Sequence, residues 1–295
     1  MDRIQAAIAR ARTIRLGLGL AAPETERPSA RPAVDEVVAS EPDRSAKRTA
    51  SWDAIPAIAP DAATLAAHRI VAHSPGADAA PFDVLRTRVL QQMGAGNWTR
   101  LAVTSPGPGC GKSTVALNLA YSLARRADLR VMLLDLDLRR PALARMIGHD
   151  GPQSIDAALA EDAELEAQMV RIDARFALIP ATAPVADPSG RLQSPAMTAI
   201  LSQIEDRYAP DVLIFDLPPL AVGDDALAFL PSTDCALLVA AAAQTTLGEA
   251  DLGEKELARH TNVLGVVLNK CAHPGPGAGY GYGYDYGDDG SRPAA

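Results

Sequence analysis

The sequence predicts an α/β chain built on a doubly wound, mostly parallel sheet with helices on both faces. Three observations predict it. Six short runs are continuously apolar rather than alternating: "RLAVTS" (100–105), "RVMLLD" (130–135), "FALIP" (176–180), "DVLIFD" (211–216), "CALLVA" (235–240) and "VLGVVLN" (263–269). Parallel strands buried on both faces read this way. Helical segments fall between them, clearest at 112–126, 194–207 and 247–259, and strand–helix alternation is the pattern of a doubly wound sheet. Finally, the first run leads directly into a glycine-rich turn and then a helix.

The elements follow in chain order. Ile4, Ala7, Ile8, Ala11 and Ile14 recur at helical spacing among Arg3, Arg10, Arg12 and Arg15, which predicts an amphipathic helix within residues 1–20. Residues 21–60 are rich in Pro, Glu, Ser and Arg without a sustained period and read as a disordered linker. A helical signal at 81–93, "PFDVLRTRVLQQM", opens the main domain, bounded at 80–275. Residues 276–295 form a Gly/Tyr-rich tail. Four of the chain's six tyrosines, Tyr280, Tyr282, Tyr284 and Tyr286, alternate there with glycine or aspartate. Such a segment cannot build a core and is expected to stay mobile.

Composition narrows the function classes. The chain has 295 residues, 48% of them hydrophobic, with a formal net charge of -8 and an isoelectric point of about 5.2. Binding nucleic acid through bulk electrostatics is therefore not expected. The three cysteines, Cys110, Cys235 and Cys271, show no metal-ligand spacing and fit a reducing compartment. The first residues lack the apolar core of a signal peptide, and the longest apolar run, 235–243, falls far short of the ~20 residues that span a bilayer. A soluble protein is the expectation.

The chemistry lies in the turn after the first strand, "SPGPGCGKST" at 105–114. Gly107, Gly109 and Gly111 let the backbone N–H groups point inward as an anion nest, and the following helix N-terminus adds partial positive charge. Lys112 would reach the outer phosphates of a nucleotide, and Ser113, followed by Thr114, would offer its hydroxyl to Mg²⁺. The strict phosphate-loop pattern has Gly where this chain has Pro106. Holding a metal at phosphates also needs carboxylates, and two apolar strands end in them. "VMLLDLDLRRP" presents Asp135 and Asp137 on one side of an extended backbone, and "VLIFDLPP" presents Asp216. In a parallel sheet these ends converge on the crevice beside the phosphate loop. The fold class is accordingly P-loop NTPase-like.

The four stretches "SPGPGCGKST", "VMLLDLDLRRP", "DVLIFDLPP" and "VLGVVLNK", in this order, resemble the Walker A, Walker A′, Walker B and adenine-side motifs of the bacterial tyrosine kinases of capsule and exopolysaccharide synthesis. The resemblance covers about residues 80–275. It implies ATP and Mg²⁺ as cofactors, held by Gly107, Gly109, Gly111, Lys112, Ser113 and Thr114, with Asn269 at the adenine. It implies Ser113, Asp137 and Asp216 as metal ligands, and Lys112, Asp135 and Asp137 as catalytic groups. Asp135 is the candidate base, but which of Asp135 and Asp137 serves is left open. It also implies that Tyr280, Tyr282, Tyr284 and Tyr286 are phosphoacceptors, presented to a neighbouring subunit in a homo-oligomer held by tail-to-site contacts. The implied partner is a membrane-embedded polysaccharide co-polymerase, a chain-length regulator. The implied location is cytoplasmic, at the inner face of the membrane.

Two departures accompany the resemblance. The family's Glu-x-x-Arg-x-x-Arg motif aligns with Ala80, Asp83 and Arg86, so only Arg86 keeps its identity, and "AAAAQTT" at 240–246 lacks the family's basic residue. The alternatives are a positioning ATPase of the Min and Par type, which carries a loop Lys where this chain has Gly107, and a non-catalytic ATP-sensing partner of a chain-length regulator.

Overall fold

Strands β1 (Arg100–Thr104), β2 (Val131–Asp135), β3 (Val170–Asp173), β4 (Phe176–Ile179), β5 (Val212–Asp216), β6 (Cys235–Ala241) and β7 (Asn262–Asn269) form one sheet. The computed structural model describes residues 49–160 and 164–271, all within one unit, Pro42–Ala295. The sheet order is β3-β4-β2-β5-β1-β6-β7, and every pairing is parallel except β3 with β4. Each of the six strands expected from its apolar run is present. β2, β4, β5 and β6 are buried along their whole length, which is why they contain no alternating polar residues.

Helices cover both faces. Besides the helical residues 49–54, the α-helices among the described residues are α1 (Ala62–Ala67), α2 (Ala80–Gly96), α3 (Lys112–Ala124), α4 (Leu143–Met146), α5 (Ile155–Leu159), α6 (Pro188–Leu192), α7 (Pro195–Gln203), α8 (Asp225–Phe229) and α9 (Leu247–His260). One core cluster joins α2 and α3 to the sheet through residues such as Val89, Met93, Leu117, Leu119 and Val103; the other joins α5, α7 and α9 through Ile155, Ile200, Leu257 and Phe215. α9 starts at a capping box: Thr246 Oγ1 accepts from Glu249 N, and the Glu249 carboxylate accepts from Thr246 N.

Two boundaries differ from the sequence expectation. The linker expected at 21–60 gives way to structure by residue 49, and the domain begins well before residue 80. Residues 49–54 are helical, and Trp52 and Ile55 are buried in the second core cluster, with the Arg130 guanidinium 5.7 Å from the Trp52 ring centroid. Pro56 O accepts from Arg171 N at 2.7 Å, and Ile58 N donates to Arg171 O at 2.8 Å. This segment therefore lies along the outer edge of β3. Asn118 of α3 fixes the next stretch, accepting from Val71 N and Ala72 N and donating to Arg69 O. The apolar residues of 49–72 contact separate patches of an existing core, so they need no common period, and the sequence shows none.

β3 was not expected from the sequence either. It is an antiparallel edge strand with a register shift between Arg171 and Asp173, half-buried, and so lacks the continuous apolar run of its neighbours. The expected helix at 1–20, the linker up to residue 48 and the tail at 276–295 with its four tyrosines lie outside the described residues.

Candidate active site

The phosphate loop leaves β1 at Ser105 and enters α3 at Lys112. Gly109 and Gly111 have φ of +77° and +88°, a left-handed conformation that side chains disfavour. A Cβ on Gly111 would also stand 2.3 Å from Asn269 Nδ2, so a side chain there would displace the amide that braces the loop. The loop is braced on three sides. Ser105 Oγ donates to Gly107 O at 2.8 Å, Asn269 Nδ2 donates to Cys110 O at 2.9 Å, and Cys110 Sγ lies 3.5 Å from Thr245 Oγ1. The loop after β5 runs beside it, with Leu220 N donating to Ser105 O and Ala221 N to Pro106 O. Gly111 is the N-cap of α3, and no side chain caps the helix. Its first N–H groups thus lack a side-chain acceptor, the arrangement that receives an anion.

Below the loop lie the strand-end carboxylates. β2 and β5 pair with Asp135 opposite Asp216, so the two acids are neighbours on adjacent strands. Lys112 Nζ reaches Asp137 Oδ2 at 2.8 Å, Asp216 Oδ1 at 3.3 Å and Ser113 Oγ at 3.2 Å. Lys112, Ser113, Asp135, Asp137 and Asp216 are thus brought together beside the loop, which the Asn269 side chain braces; the four expected acceptor tyrosines lie outside the described residues. Asp135 is fully buried, and its Oδ2 accepts from Ala142 N at 3.0 Å and Leu143 N at 2.9 Å at the start of α4. Asp137 Oδ1 accepts from Arg140 N.

Electrostatics couples these groups. Burial pushes the Asp135 carboxyl up to about 8, and the nearby Asp216 adds to it, against the opposing pull of the Leu143 N–H and Lys112. Asp216 is also raised by burial, with Lys112 opposing. Burial disfavours the Lys112 charge, but Asp216 and Asp137 outweigh it and hold the ammonium above its ordinary value. Three carboxylates thus share one ammonium. Asp135 Oδ1 and Asp216 Oδ2 have no hydrogen-bond partner although both are buried. Orphaned buried carboxyl oxygens suit a hard divalent cation with oxygen ligands, so the residues present fit Mg²⁺.

Sequence reasoning missed several supporting groups. Arg139 Nη2 donates to the fully buried Asp225 at 3.0 Å, and Arg139 Nε donates to the same carboxylate. The pair ties the segment after Asp137 to α8. Arg139 lies in the "RR" after the carboxylate motif, and nothing in the local sequence marks Asp225 at the start of α8. Thr104 Oγ1 donates to Pro218 O at 2.7 Å and fastens the Asp216 loop to β1. At the aligned Glu-x-x-Arg-x-x-Arg positions, Asp83 accepts from Arg86, Ser122 Oγ and Arg125, so these charges are satisfied within the chain. Tyr121 and Tyr208 are both buried. Among the described residues no helix is long and apolar enough to cross a membrane.

A sheet of this order, with a glycine loop feeding a helix N-terminus and carboxylates on the adjacent strand ends, defines a P-loop NTPase. Residues 98–281 match the family described as ParA: NUBPL iron-transfer P-loop NTPase, and the chain belongs to that family. It is 34% identical to the succinoglycan biosynthesis transport protein ExoP of Rhizobium meliloti, over 61% of this chain and 23% of ExoP. It is 28% identical to the tyrosine-protein kinase CpsD of Streptococcus agalactiae, over 64% of this chain and 82% of CpsD. Among solved structures it resembles the kinase domain of the Escherichia coli tyrosine kinase ETK, with a TM-score of 0.60 and 26% identity over 66% of this chain and 78% of that domain. The chain thus spans about a quarter of the length of the long relatives, such as ExoP, and most of the length of short ones such as CpsD.

Proposed function

We propose that this chain is an ATP-dependent protein-tyrosine autokinase that phosphorylates Tyr280, Tyr282, Tyr284 and Tyr286 and thereby regulates the polymerisation and export of an extracellular polysaccharide. The observation that carries the reading is the Lys112–Asp137–Asp216 cluster beneath the uncapped start of α3, in a chain whose relatives include tyrosine-protein kinases. The burial of Tyr121 and Tyr208 supports the choice of acceptor, because the other four tyrosines all lie at 280–286.

The loop amides and Lys112 would hold the ATP phosphates, and Ser113, Asp137 and Asp216 would hold Mg²⁺, which would neutralise phosphate charge. Lys112 exchanges its carboxylate partners for phosphate oxygens. The phenolic oxygen of a tail tyrosine attacks the γ-phosphorus, the bond to the β–γ bridging oxygen breaks, and ADP leaves. The phenolic proton passes to Asp135 or Asp137. Asn269 contacts the adenine from the end of β7.

The proposed partner is a membrane-embedded co-polymerase that sets chain length, which recruits the kinase to the inner face of the membrane; subunits associate by placing tails in one another's sites. A two-variant mixture tests the chemistry. A chain with all four tail tyrosines changed to Phe supplies the kinase, and a Lys112→Met chain supplies the acceptor. Phosphotyrosine on the Lys112→Met tail supports transfer between subunits. Its absence from the mixture, with wild type active alone, overturns transfer in trans.

A further inference from the structure

The two edges of the sheet are treated differently. The β3 edge is lined by Pro56–Ile58, whereas β7 has no partner on its outer side among the described residues. β7 is a poor strand to leave open. Its eight residues, Asn262–Asn269, contain no charge and no proline, and Val266 and Leu268 are 42% and 55% exposed. Val267 packs into the first core cluster, so Val266 and Leu268 face the other side, where α9 lies. Leu247, which starts α9 at the same end of the sheet as Asn269, is 73% exposed. Long, uncharged, apolar edges template pairing with other chains, and natural proteins cover or charge them.

We infer that residues 280–286 of the same chain pair as an antiparallel strand with the open edge of β7, with their four tyrosine rings over Val266, Leu268 and Leu247. The chain leaves the sheet at Asn269, and Lys270 turns it with φ of +59°. Residues 270–279 contain Pro274, Gly275, Pro276 and Gly277, the residues of a reversing loop. Residues 280–286 then equal 263–269 in length. Tyr280, Tyr282, Tyr284 and Tyr286 recur with period two, so an extended backbone puts every ring on one face. Tyrosine opposite an aliphatic residue is a favourable cross-strand pair. A second copy could use the same edge. The tail, however, is tethered ten residues away at an effective concentration in the millimolar range, and that outcompetes a free partner at micromolar concentration.

The arrangement holds a tail on its own β7 edge whenever it is not in a neighbouring subunit's site. Resting on the kinase reading, phosphates at alternate positions of one strand face repel one another, so the modified tail leaves β7. The pairing itself does not depend on that reading, and its test uses no nucleotide. Amide hydrogen exchange is measured on phosphatase-treated full chain, on the double variant Gly281→Pro/Gly283→Pro, and on Val266→Lys/Leu268→Lys. The expected result is that amides within 263–269 exchange at least about tenfold more slowly in the wild type than in either variant, with no change on tenfold dilution. Equal exchange in all three overturns the inference. Protection that disappears on dilution also overturns it, and assigns the edge to a second copy.

Discussion

Replacing Lys112 with methionine removes the one ammonium among three buried carboxylates. The Lys112 side chain is 10% exposed, and its partners Asp137 and Asp216 are 7% and 0% exposed. Deleting one member of a buried pair costs about 3–5 kcal/mol when the other stays charged. The carboxylate can instead take up a proton. From an ordinary value near 4, at about 1.36 kcal/mol per pH unit, that costs about 5 kcal/mol at pH 7.5 and about 2 kcal/mol at pH 5.5. The cheaper route sets the loss, so Lys112→Met destabilises by about 3–5 kcal/mol at pH 7.5 and by about 2 kcal/mol at pH 5.5. The sign follows from linkage: a carboxyl raised in the folded state keeps its proton there and loses it in the unfolded chain, so stability falls as pH climbs between the two values. The raised Asp135 gives both proteins the same trend between about 4 and 8, and it largely cancels in the difference. Urea unfolding of both proteins at the two pH values measures the effect, and millimolar Mg²⁺ should recover part of the loss at pH 7.5. An equal loss at both pH values, or one below about 1 kcal/mol at pH 7.5, would show a hydrated cluster and refute the argument.

Three further outcomes are expected. Trp52→Ala empties a buried indole site and should lower stability by about 3–5 kcal/mol in urea unfolding, whereas a linker residue would change nothing. Asp83→Ala leaves Arg86, Arg125 and Ser122 without their shared acceptor, costing about 1–2 kcal/mol; gel filtration should show an unchanged oligomer, since these contacts lie within one chain. Asp137→Asn should lower kcat by at least about 100-fold and nucleotide affinity far less, because metal positioning and charge neutralisation matter most in the transition state; steady-state kinetics beside equilibrium binding separates the two.

The sheet interior was legible because burial on both faces forces unbroken apolar runs such as Val131–Leu134 and Val212–Phe215. Where only one face is buried, as in β3, the run breaks into "VRID" and the signal fades. The phosphate loop was legible because Gly109 and Gly111 hold backbone angles that other residues resist, and the acids because Asp135 and Asp216 interrupt apolar strands at the same register. Groups whose role comes from a distant partner left no local mark. Asp225 matters through Arg139, Asn118 through the backbone of 69–72, and Trp52 through a core built by residues a hundred positions later. The three share one cause: a contact made by the tertiary fold has no spacing along the chain.

The most direct test of the account is to incubate the purified chain with Mg·ATP and map phosphotyrosine by mass spectrometry, beside Lys112→Met and the variant with Phe at 280, 282, 284 and 286. The account predicts phosphate on the tail tyrosines of the wild type, none on Lys112→Met alone, and almost none on the Phe variant. ATP turnover with no phosphotyrosine anywhere, or strong phosphorylation of the Phe variant, would contradict it.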